Sequence, residues 1–306
     1  MYFFAFFIHF LNFTVKMRAK GGIPMFKFHQ PDVMHIKSIT LLVLDLKRSI
    51  EFYTDILGFS ILEKTIKEVK LTVNHKDTLV TLIEDRAAIP YDETLGLYHV
   101  AFLLPSQKCL AETIRRLTEK RYPITGASDH GVSQAIYLDD PDGHGIEIYT
   151  DYDESLWPQD DSNLNMFTEP LNIHKIMSKL GDSSMDKLSE ETIIGHLHFH
   201  VPTLEEGIKF FCDGLGFKVT LRYGPSAIFI ADKDYHHHIG MNTWLNNAEL
   251  TKEKQIGLKS YVLHVPKDQY FPFLKRLQNE HITLFTDGER SYLVDPMFQK
   301  VYIDTL

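Results

Sequence analysis

The chain has 306 residues, of which 44% are hydrophobic and 24% charged, a composition typical of globular proteins with two domains. Its formal net charge of −9, without a basic cluster, argues against nucleic-acid binding. The two cysteines, Cys109 and Cys212, lie in separate predicted helices, so a disulfide framework is not expected. We expect a cytoplasmic location, where thiols stay reduced.

Residues 1–24 do not share the pattern of the rest of the chain. Met1 to Val15 is apolar and aromatic, and basic residues follow it rather than precede it as in a secretory signal. The run is also too short to cross a bilayer comfortably. We expect an extra stretch outside the fold, with translation beginning at Met25 in nature; a membrane anchor is the alternative, and no membrane contact is expected for the folded part.

From residue 35 onward the sequence repeats itself. Residues 38–59 and 196–217 each contain an apolar strand, a helical pattern and a final Leu-Gly-Phe. A second pair of segments begins at His99 and Ser260, and each of these reaches an Asp-Pro turn followed by a strand. The repeats define four units of about fifty residues, each a strand, a helix and two or three more strands.

Four helices are predicted, one in each unit. Apolar side chains recur at spacings of three and four, with charged residues on the other side, over residues 46–57, 109–120, 203–215 and 268–280. Gly58 and Gly216 follow two of these runs and suit helix ends that need a left-handed residue.

The segment from 129 to 149, at the end of the second unit, is the most informative. Asp140-Pro141-Asp142-Gly143 is turn chemistry, and the strand after it alternates so that Glu147 faces away from its apolar neighbours. A single glutamate in a strand is usually a solvated residue. His130 and Tyr137 precede this one on the same short segment, which indicates the end of a metal site.

Residues 151–192 begin with an acidic, turn-rich stretch and read as a linker between the halves. We therefore predict an N-terminal domain of two units over 25–150, the linker, and a C-terminal domain of two units over 193–306. A linker of this length could join units that are not neighbours in the sequence.

Four motifs carry a resemblance to a known family: the segment 130–149, the strand 97–101, the strand 194–198, and the run 235–244. In this order they resemble the vicinal oxygen chelate superfamily of glyoxalases, bleomycin resistance proteins and extradiol dioxygenases, in particular its two-domain catechol 2,3-dioxygenase-like members. The resemblance covers residues 35–306. It implies an α+β fold of four βαβββ modules that form two half-open mixed β-barrels, with a divalent metal on the inner face.

The resemblance also places metal ligands on the first and last strands of the modules. The first-strand positions hold Ser38, His99, His196 and Ser260, and the last-strand positions of modules two and four hold Glu147 and Tyr302. Two imidazoles and one carboxylate, His99, Glu147 and His196, form the triad that leaves open positions on Fe(II), with Mn(II) as the alternative metal. Because these ligands come from modules two and three, we predict that these modules pair into one metal barrel and that modules one and four form a metal-free barrel.

Further roles are implied by the same resemblance. Tyr137, ten residues before Glu147, and His130 fit the family's hydrogen-bond donors. Strand alternation would place His236 and His238 on one face, opposite His237. We predict His238, and after it His236, as the proton-transfer histidine, and His237 as a surface or packing residue. His198 shares the face of His196 and is an alternative ligand.

These residues predict a metal-dependent extradiol dioxygenase that cleaves a small aromatic diol with O₂, and the open strand edges are compatible with a homodimer. One alternative is a glyoxalase-type lyase or thiol transferase, which the lack of an acid near 238–240 disfavours. Another is a non-catalytic drug- or quinone-binding protein, which would not need the triad. A third is a pair of decayed sites that bind no metal.

Overall fold

The computed structural model describes residues 26–90, 94–160, 163–181, 186–245, 248–250 and 254–305. Within these ranges lie two large mixed β-sheets, one of eight strands and one of nine, together with a two-stranded hairpin. The stretch 1–24, predicted to lie outside the fold, falls outside the described residues.

Each half of the chain contributes two modules. Module one consists of β1 (His35–Val43), α1 (Leu46–Glu51) continuing as a π-helix (Phe52–Leu57), β2 (Ser60–Lys64), β3 (Glu68–Thr72) and β4 (Val80–Glu84). Module two consists of β5 (Gly96–Leu103), α2 (Gln107–Glu119), β6 (Gly126–Asp129), β7 (Ser133–Asp139) and β8 (Gly145–Asp151).

The second half follows the same plan. Module three consists of β12 (Ile193–His200), α4 (Leu204–Gly207) continuing as a π-helix (Ile208–Leu215), β13 (Lys218–Tyr223), β14 (Ala227–Ala231) and β15 (Ile239–Asn242). Module four consists of β16 (Gly257–His264), α5 (Tyr270–Asn279), β17 (Phe285–Asp287), β18 (Arg290–Val294) and β19 (Lys300–Asp304). Short 3-10 turns precede β1 and α5, at Lys27–His29 and Lys267–Gln269.

The segment predicted as a linker forms local structure against module two. It contains a 3-10 turn (Glu154–Leu156), the hairpin of β9 (Gln159–Asp160) and β10 (Asn163–Leu164), β11 (Glu169–Pro170) and α3 (Ile173–Met177). Strand β11 pairs with β6 at the edge of the nine-stranded sheet, and α3 packs against α2. The segment therefore extends the edge of the nine-stranded sheet and covers part of α2, as well as joining the two halves.

Local sequence accounts for where the helices begin and end. The side chains of Asp45, Ser106 and Thr203 accept hydrogen bonds from backbone amides in the first turns of α1, α2 and α4. Gly58 and Gly216 end the two π-helical segments with φ of 94° and 104°, the left-handed conformation predicted for them.

The two sheets combine modules from opposite halves of the chain. Their orders are β17-β18-β19-β16-β1-β4-β3-β2 and β11-β6-β7-β8-β5-β12-β15-β14-β13. The central contacts are the antiparallel pairs β1 with β16 and β5 with β12. The prediction that module two pairs with module three, and module one with module four, is therefore confirmed, and both pairings occur within one chain.

Strand alternation divides the side chains between the helix-covered face and the barrel interior. In β5, Val100 and Phe102 belong to the main core with Ile146 and Ile148 of β8, whereas Ala101 faces the opposite side. The main core continues under α2 through its buried apolar face. Among the described helices, none has the length and hydrophobicity needed to cross a bilayer.

Candidate metal centre and active site

Strand β5 lies between β12 and β8, and its register positions the first two site residues. Ala101 is paired with His196 on one side and with Glu147 on the other. Residues paired in register present their side chains on the same face, here the barrel interior. Because Ala101 carries only a methyl group, Nε2 of His196 approaches to 3.2 Å from Oε2 of Glu147.

His99 completes the predicted triad. It lies two residues before Ala101 on β5, on the same face, and its Nε2 is 3.0 Å from the same carboxylate oxygen. One candidate ligand atom from each of His99, Glu147 and His196 lies within 4.8 Å of the other two, and all three residues are buried. The structure thus brings together at one point the three residues that were predicted as ligands.

The protonation and hydrogen bonding of this cluster suit a divalent cation. Nε2 of His99 is buried and has no hydrogen-bond partner among the described residues. Burial lowers the pKa of His196, which favours the neutral imidazole. Burial alone would raise the pKa of Glu147, but the adjacent His196 and His99 hold it well below its usual value. A neutral imidazole and an ionised carboxylate are the forms that bind metals.

Tyr137 and His130 lie beside this cluster. The turn at 140–143 sets the register of β7 and β8 so that Tyr137 is paired with Glu147. Nδ1 of His130 lies 3.1 Å from the carbonyl oxygen of Phe167, which can only accept a hydrogen bond, so Nε2 of His130 accepts the bond of 2.7 Å from the Tyr137 hydroxyl. Burial, reinforced by the charge of Glu147, raises the pKa of Tyr137 well above its usual value and keeps the hydroxyl protonated.

The predicted alternation of the three adjacent histidines does not hold. Residues 235–238 precede β15 in an irregular conformation, so their side chains do not alternate as they would in a strand. We expected His237 at the surface or in packing. It is buried and lines the cavity into which the triad opens, with its ring centre 4.1 Å from that of His196.

The two histidines predicted for proton transfer lie outside the described lining of this cavity. Nε2 of His238 donates to the carbonyl oxygen of Phe28 at 2.8 Å, and its Nδ1 accepts from the amide of Asp232 at 3.2 Å. His236 is fully buried between His237 and Asp151. His238 thus faces away from the triad, and His236 reaches it through His237.

His198 lies in the cavity next to the triad. It is directly opposite His99 across the β5–β12 pair, and the ring centres are 4.9 Å apart. Its Nε2 accepts a hydrogen bond of 3.0 Å from the side-chain amide of Asn242. Of the two histidines weighed as ligands, His196 therefore contacts Glu147, while Nε2 of His198 is already engaged.

The triad opens into a cavity of about 230 Å³. Besides the predicted residues, aromatic and apolar side chains form much of its wall; the described ones are Tyr98, Met166, Phe167, Tyr223, Phe229 and Trp244. The sequence has no periodic pattern that predicts Met166 and Phe167, which lie just before β11 and reach the site because β11 pairs with β6. Tyr98 reaches the cavity because an irregularity between β5 and β12 places it and His99 on the same side.

Comparisons with known proteins agree with this fold and site. Residues 35–148 match the model of the Glyoxalase/Bleomycin resistance protein/Dioxygenase superfamily. A catechol-2,3-dioxygenase of Bacillus subtilis is 40% identical over 274 residues, which cover 88% of this chain and 96% of the relative. The metallothiol transferase FosB of Staphylococcus epidermidis is 31% identical over 122 residues, 39% of this chain and 83% of the relative.

A solved structure supports the fold independently. Glyoxalase I from Zea mays superimposes with a TM-score of 0.56 at 15% identity, covering 89% of this chain and 92% of that one. Four βαβββ modules, a sheet built from modules two and three, and the sequence match together define the class. The chain belongs to the Glyoxalase/Bleomycin resistance protein/Dioxygenase superfamily.

Proposed function

We propose that the protein is an extradiol dioxygenase that uses Fe(II), with Mn(II) as the alternative metal, to cleave a catechol-type aromatic diol with O₂. The observation that carries this proposal is the convergence of two histidines and one carboxylate at the base of an aromatic cavity. That donor set with open coordination positions is typical of non-haem Fe(II) oxygenases. The name of the relative from Bacillus subtilis, catechol-2,3-dioxygenase, supports the same reaction.

His99, Glu147 and His196 would hold the metal. When bound, the metal would act as a Lewis acid toward the two adjacent oxygens of the diol and toward O₂. The fold contributes a fixed arrangement of the three donors, since each side chain projects from a paired strand rather than from a loop.

The cavity has the size and the walls for one aromatic ring. A dry cavity on the order of 150 Å³ can hold benzene, so about 230 Å³ leaves room for a ring with two hydroxyls and a small substituent. Phe229 and Trp244 line the wall above His198, with ring centres each 5.7 Å from the His198 ring. Aromatic rings at these separations favour stacked or edge-on contacts with a substrate ring.

His237 is the residue placed to take a proton from the diol. Burial and the neighbouring histidines lower its pKa well below the usual value, so the ring is neutral. Its Nδ1 is hydrogen-bonded to Nδ1 of His236, so Nε2 is left to interact with a substrate hydroxyl in the cavity. The proposal therefore gives His237 the role predicted for His238, while the hydroxyl oxygen of Tyr137, whose hydrogen is donated to His130, accepts a hydrogen bond from a hydroxyl of the diol.

The alternative of a glyoxalase-type lyase or thiol transferase receives less support. In relatives of that type the metal usually takes two carboxylates, and Glu147 is the single acid among the described residues that line this cavity. The match to the metallothiol transferase also spans 39% of the chain, against 88% for the dioxygenase. The cytoplasmic location and the homodimer stay predictions.

Anaerobic reconstitution tests the reaction. The protein is loaded with Fe(II), given catechol, 3-methylcatechol or 4-methylcatechol, and exposed to O₂ while oxygen uptake and the yellow ring-opened product are followed. We expect turnover by the parent and by Glu169→Gln, which alters an exposed glutamate on β11, and none by Glu147→Gln. Iron binding without turnover of any of these diols would overturn the proposal in favour of a binding protein or a lyase.

Two histidine variants separate the proton-transfer candidates. We expect His237→Asn to lower kcat by about 10² to 10⁴ with iron content and KM retained, the range for loss of a general base. His238→Asn should retain kcat, because His238 contacts the carbonyl oxygen of Phe28 outside the cavity. The reverse ranking of the two variants would return the role to His238.

A further inference from the structure

A continuous hydrogen-bonded chain leads from the candidate base away from the cavity. Nδ1 of His237 lies 2.8 Å from Nδ1 of His236, and Nε2 of His236 lies 2.9 Å from Oδ1 of Asp151. Both histidines are buried, with exposed fractions of 5% and 0%. Such a bond between two buried imidazoles has to be directional, because one nitrogen must donate and the other accept.

The carboxylate fixes that direction. Asp151 can only accept when ionised, so Nε2 of His236 carries the hydrogen in the bond to Asp151. With its hydrogen on Nε2, the imidazole of His236 presents a lone pair at Nδ1, and His237 donates to it from its own Nδ1. Nε2 of His237 is left with its lone pair on the cavity side, which is the form that a base requires.

The fold sets each member of this chain separately. Asp151 ends β8 four residues beyond Glu147, so strand alternation puts both carboxylates on the same face. The irregular backbone before β15 lets the rings of His236 and His237 lie beside each other, 4.7 Å between centres, rather than on opposite faces. The ring of Trp157 packs on His236 with its centre 5.3 Å away, which restricts the imidazole.

The far end of the chain faces a second cavity. Oδ2 of Asp151 accepts a hydrogen bond of 3.1 Å from Tyr235, and both residues line a cavity of about 600 Å³ next to Trp157. Among the described lining residues, this cavity shares none with the one that holds the triad. The Asp151 side chain is 22% exposed, whereas that of His236 is completely covered. The hydrogen bonds therefore join the cavity that holds the triad to a partly exposed carboxylate.

We propose that Asp151 and His236 are positioning residues that hold His237 with its Nε2 unprotonated toward the substrate and give a proton taken up there a path to the Asp151 cavity. This inference rests on the proposed function, because it assigns His237 as the base of the same reaction. In the step, the diol proton binds to Nε2 of His237. The proton on Nδ1 of His237 then passes to Nδ1 of His236, and the proton on Nε2 of His236 passes to Asp151. The step consists of proton transfers only, so no oxidation state changes and no additional reactant is needed.

A double-mutant cycle on the Fe(II)-loaded protein tests the dependence on His237. We expect Asp151→Ala to lower kcat by about 10- to 100-fold with KM and iron content unchanged, the usual loss for a partner that orients an active-site residue. In a His237→Asn background the same change should cost less than about twofold, since the residue that it orients is gone. Equal losses in both backgrounds would show a general structural role and overturn the proposal.

Two further variants control for damage to the fold. Asp153→Ala removes an exposed carboxylate that lines the same second cavity and bonds within its own turn to Ser155, so it should match the parent. Asp151→Asn keeps the shape of the side chain and an acceptor oxygen, and we expect it to recover part of the lost kcat. If Asp151→Ala does not fold, Asp151→Asn in the same cycle gives the comparison, and additive losses would again count against the proposal.

Histidine nitrogen NMR on the Zn(II)-loaded protein tests the tautomer without any turnover. The signals that disappear in His237→Asn identify the ring, and we expect a protonated Nδ1 and an unprotonated Nε2. Asp151→Ala should yield a mixture of tautomers for that ring. An unchanged tautomer in Asp151→Ala would overturn the inference even if ring cleavage is confirmed, whereas the expected tautomers in a protein that cleaves no diol would place the failure in the proposed function.

Discussion

The side chains of His196 and Glu147 approach each other across a single alanine, Ala101. The two residues belong to strands that flank β5 on opposite sides, and both are paired in register with Ala101. The distance of 3.2 Å between Nε2 of His196 and Oε2 of Glu147 spans the methyl group of Ala101. A small residue between two ligands is thus a structural condition of the candidate metal centre.

Ala101→Leu should abolish metal binding at this centre. The added side chain would occupy the space through which His196 and Glu147 approach each other, and overpacking at a buried site costs about 1–3 kcal/mol. Iron content after anaerobic loading and the midpoint of thermal unfolding are the measurements. Ala101→Gly, which keeps the space open, is the control, and full iron occupancy in the leucine variant would contradict this account of the site.

Tyr137→Phe should reduce turnover without loss of metal. The change removes the hydroxyl that donates to His130 at 2.7 Å but leaves the aromatic ring and all three candidate ligands. We expect kcat to fall about 10-fold, as for other residues that orient or donate next to a metal site. Tyr152→Phe is the matched control, since its hydroxyl bonds to Asp129; an equal loss in both variants would argue against a role for Tyr137 in the reaction.

The two halves of the chain should be interdependent. A fragment of residues 25–150 lacks His196 and leaves β1 and β5 without their partners β16 and β12. Unpaired strand edges promote association, so we expect this fragment to aggregate and to bind no stoichiometric Fe(II). Joint refolding with a fragment of residues 151–306 should restore iron binding, as measured by size-exclusion chromatography with metal analysis. A monomeric fragment 25–150 with bound iron would show that the halves fold separately.

The aspartates that open equivalent turns of modules two and four differ in their protonation. Asp140 has His144 beside it at 2.7 Å, and although burial opposes the shift, that histidine lowers the pKa of Asp140. Asp295 accepts bonds from the amides of Met297 and Gln299, yet burial raises its pKa to about 7.

Asp295 should make the fold less stable as the pH rises. The pKa of an aspartate in the unfolded chain is about 3.9. Between that pH and the folded-state pKa of about 7, Asp295 holds a proton in the folded state that it has lost in the unfolded state. The folded state binds more protons in this window, and the free energy of unfolding therefore falls with rising pH. Asp295→Asn keeps an acceptor for the turn amides and should remove this contribution. Urea unfolding of both proteins across the window measures it, and parallel pH profiles would contradict the expectation.

Much of this protein follows from local sequence patterns. The spacing of apolar residues gave four helices whose positions agree with the structure, and the turn at 140–143 set Tyr137 opposite Glu147. These features depend on interactions between residues close in the chain, which periodicity and turn chemistry describe directly. The distribution of candidate ligands over modules two and three also anticipated the pairing of β5 with β12.

Other features of the site were decided by contacts between distant segments. The irregular backbone that turns His237 rather than His238 toward the triad, and the shift in the β5–β12 register that brings Tyr98 to its edge, leave no periodic signal. Phe167 enters the cavity because β11 pairs with β6, within a segment whose composition reads as a linker. The sequence thus determined the modules and the candidate donor set, whereas packing between strands far apart in the chain decided which neighbouring side chains face the candidate metal centre, because a shift of one residue reverses the face of a strand.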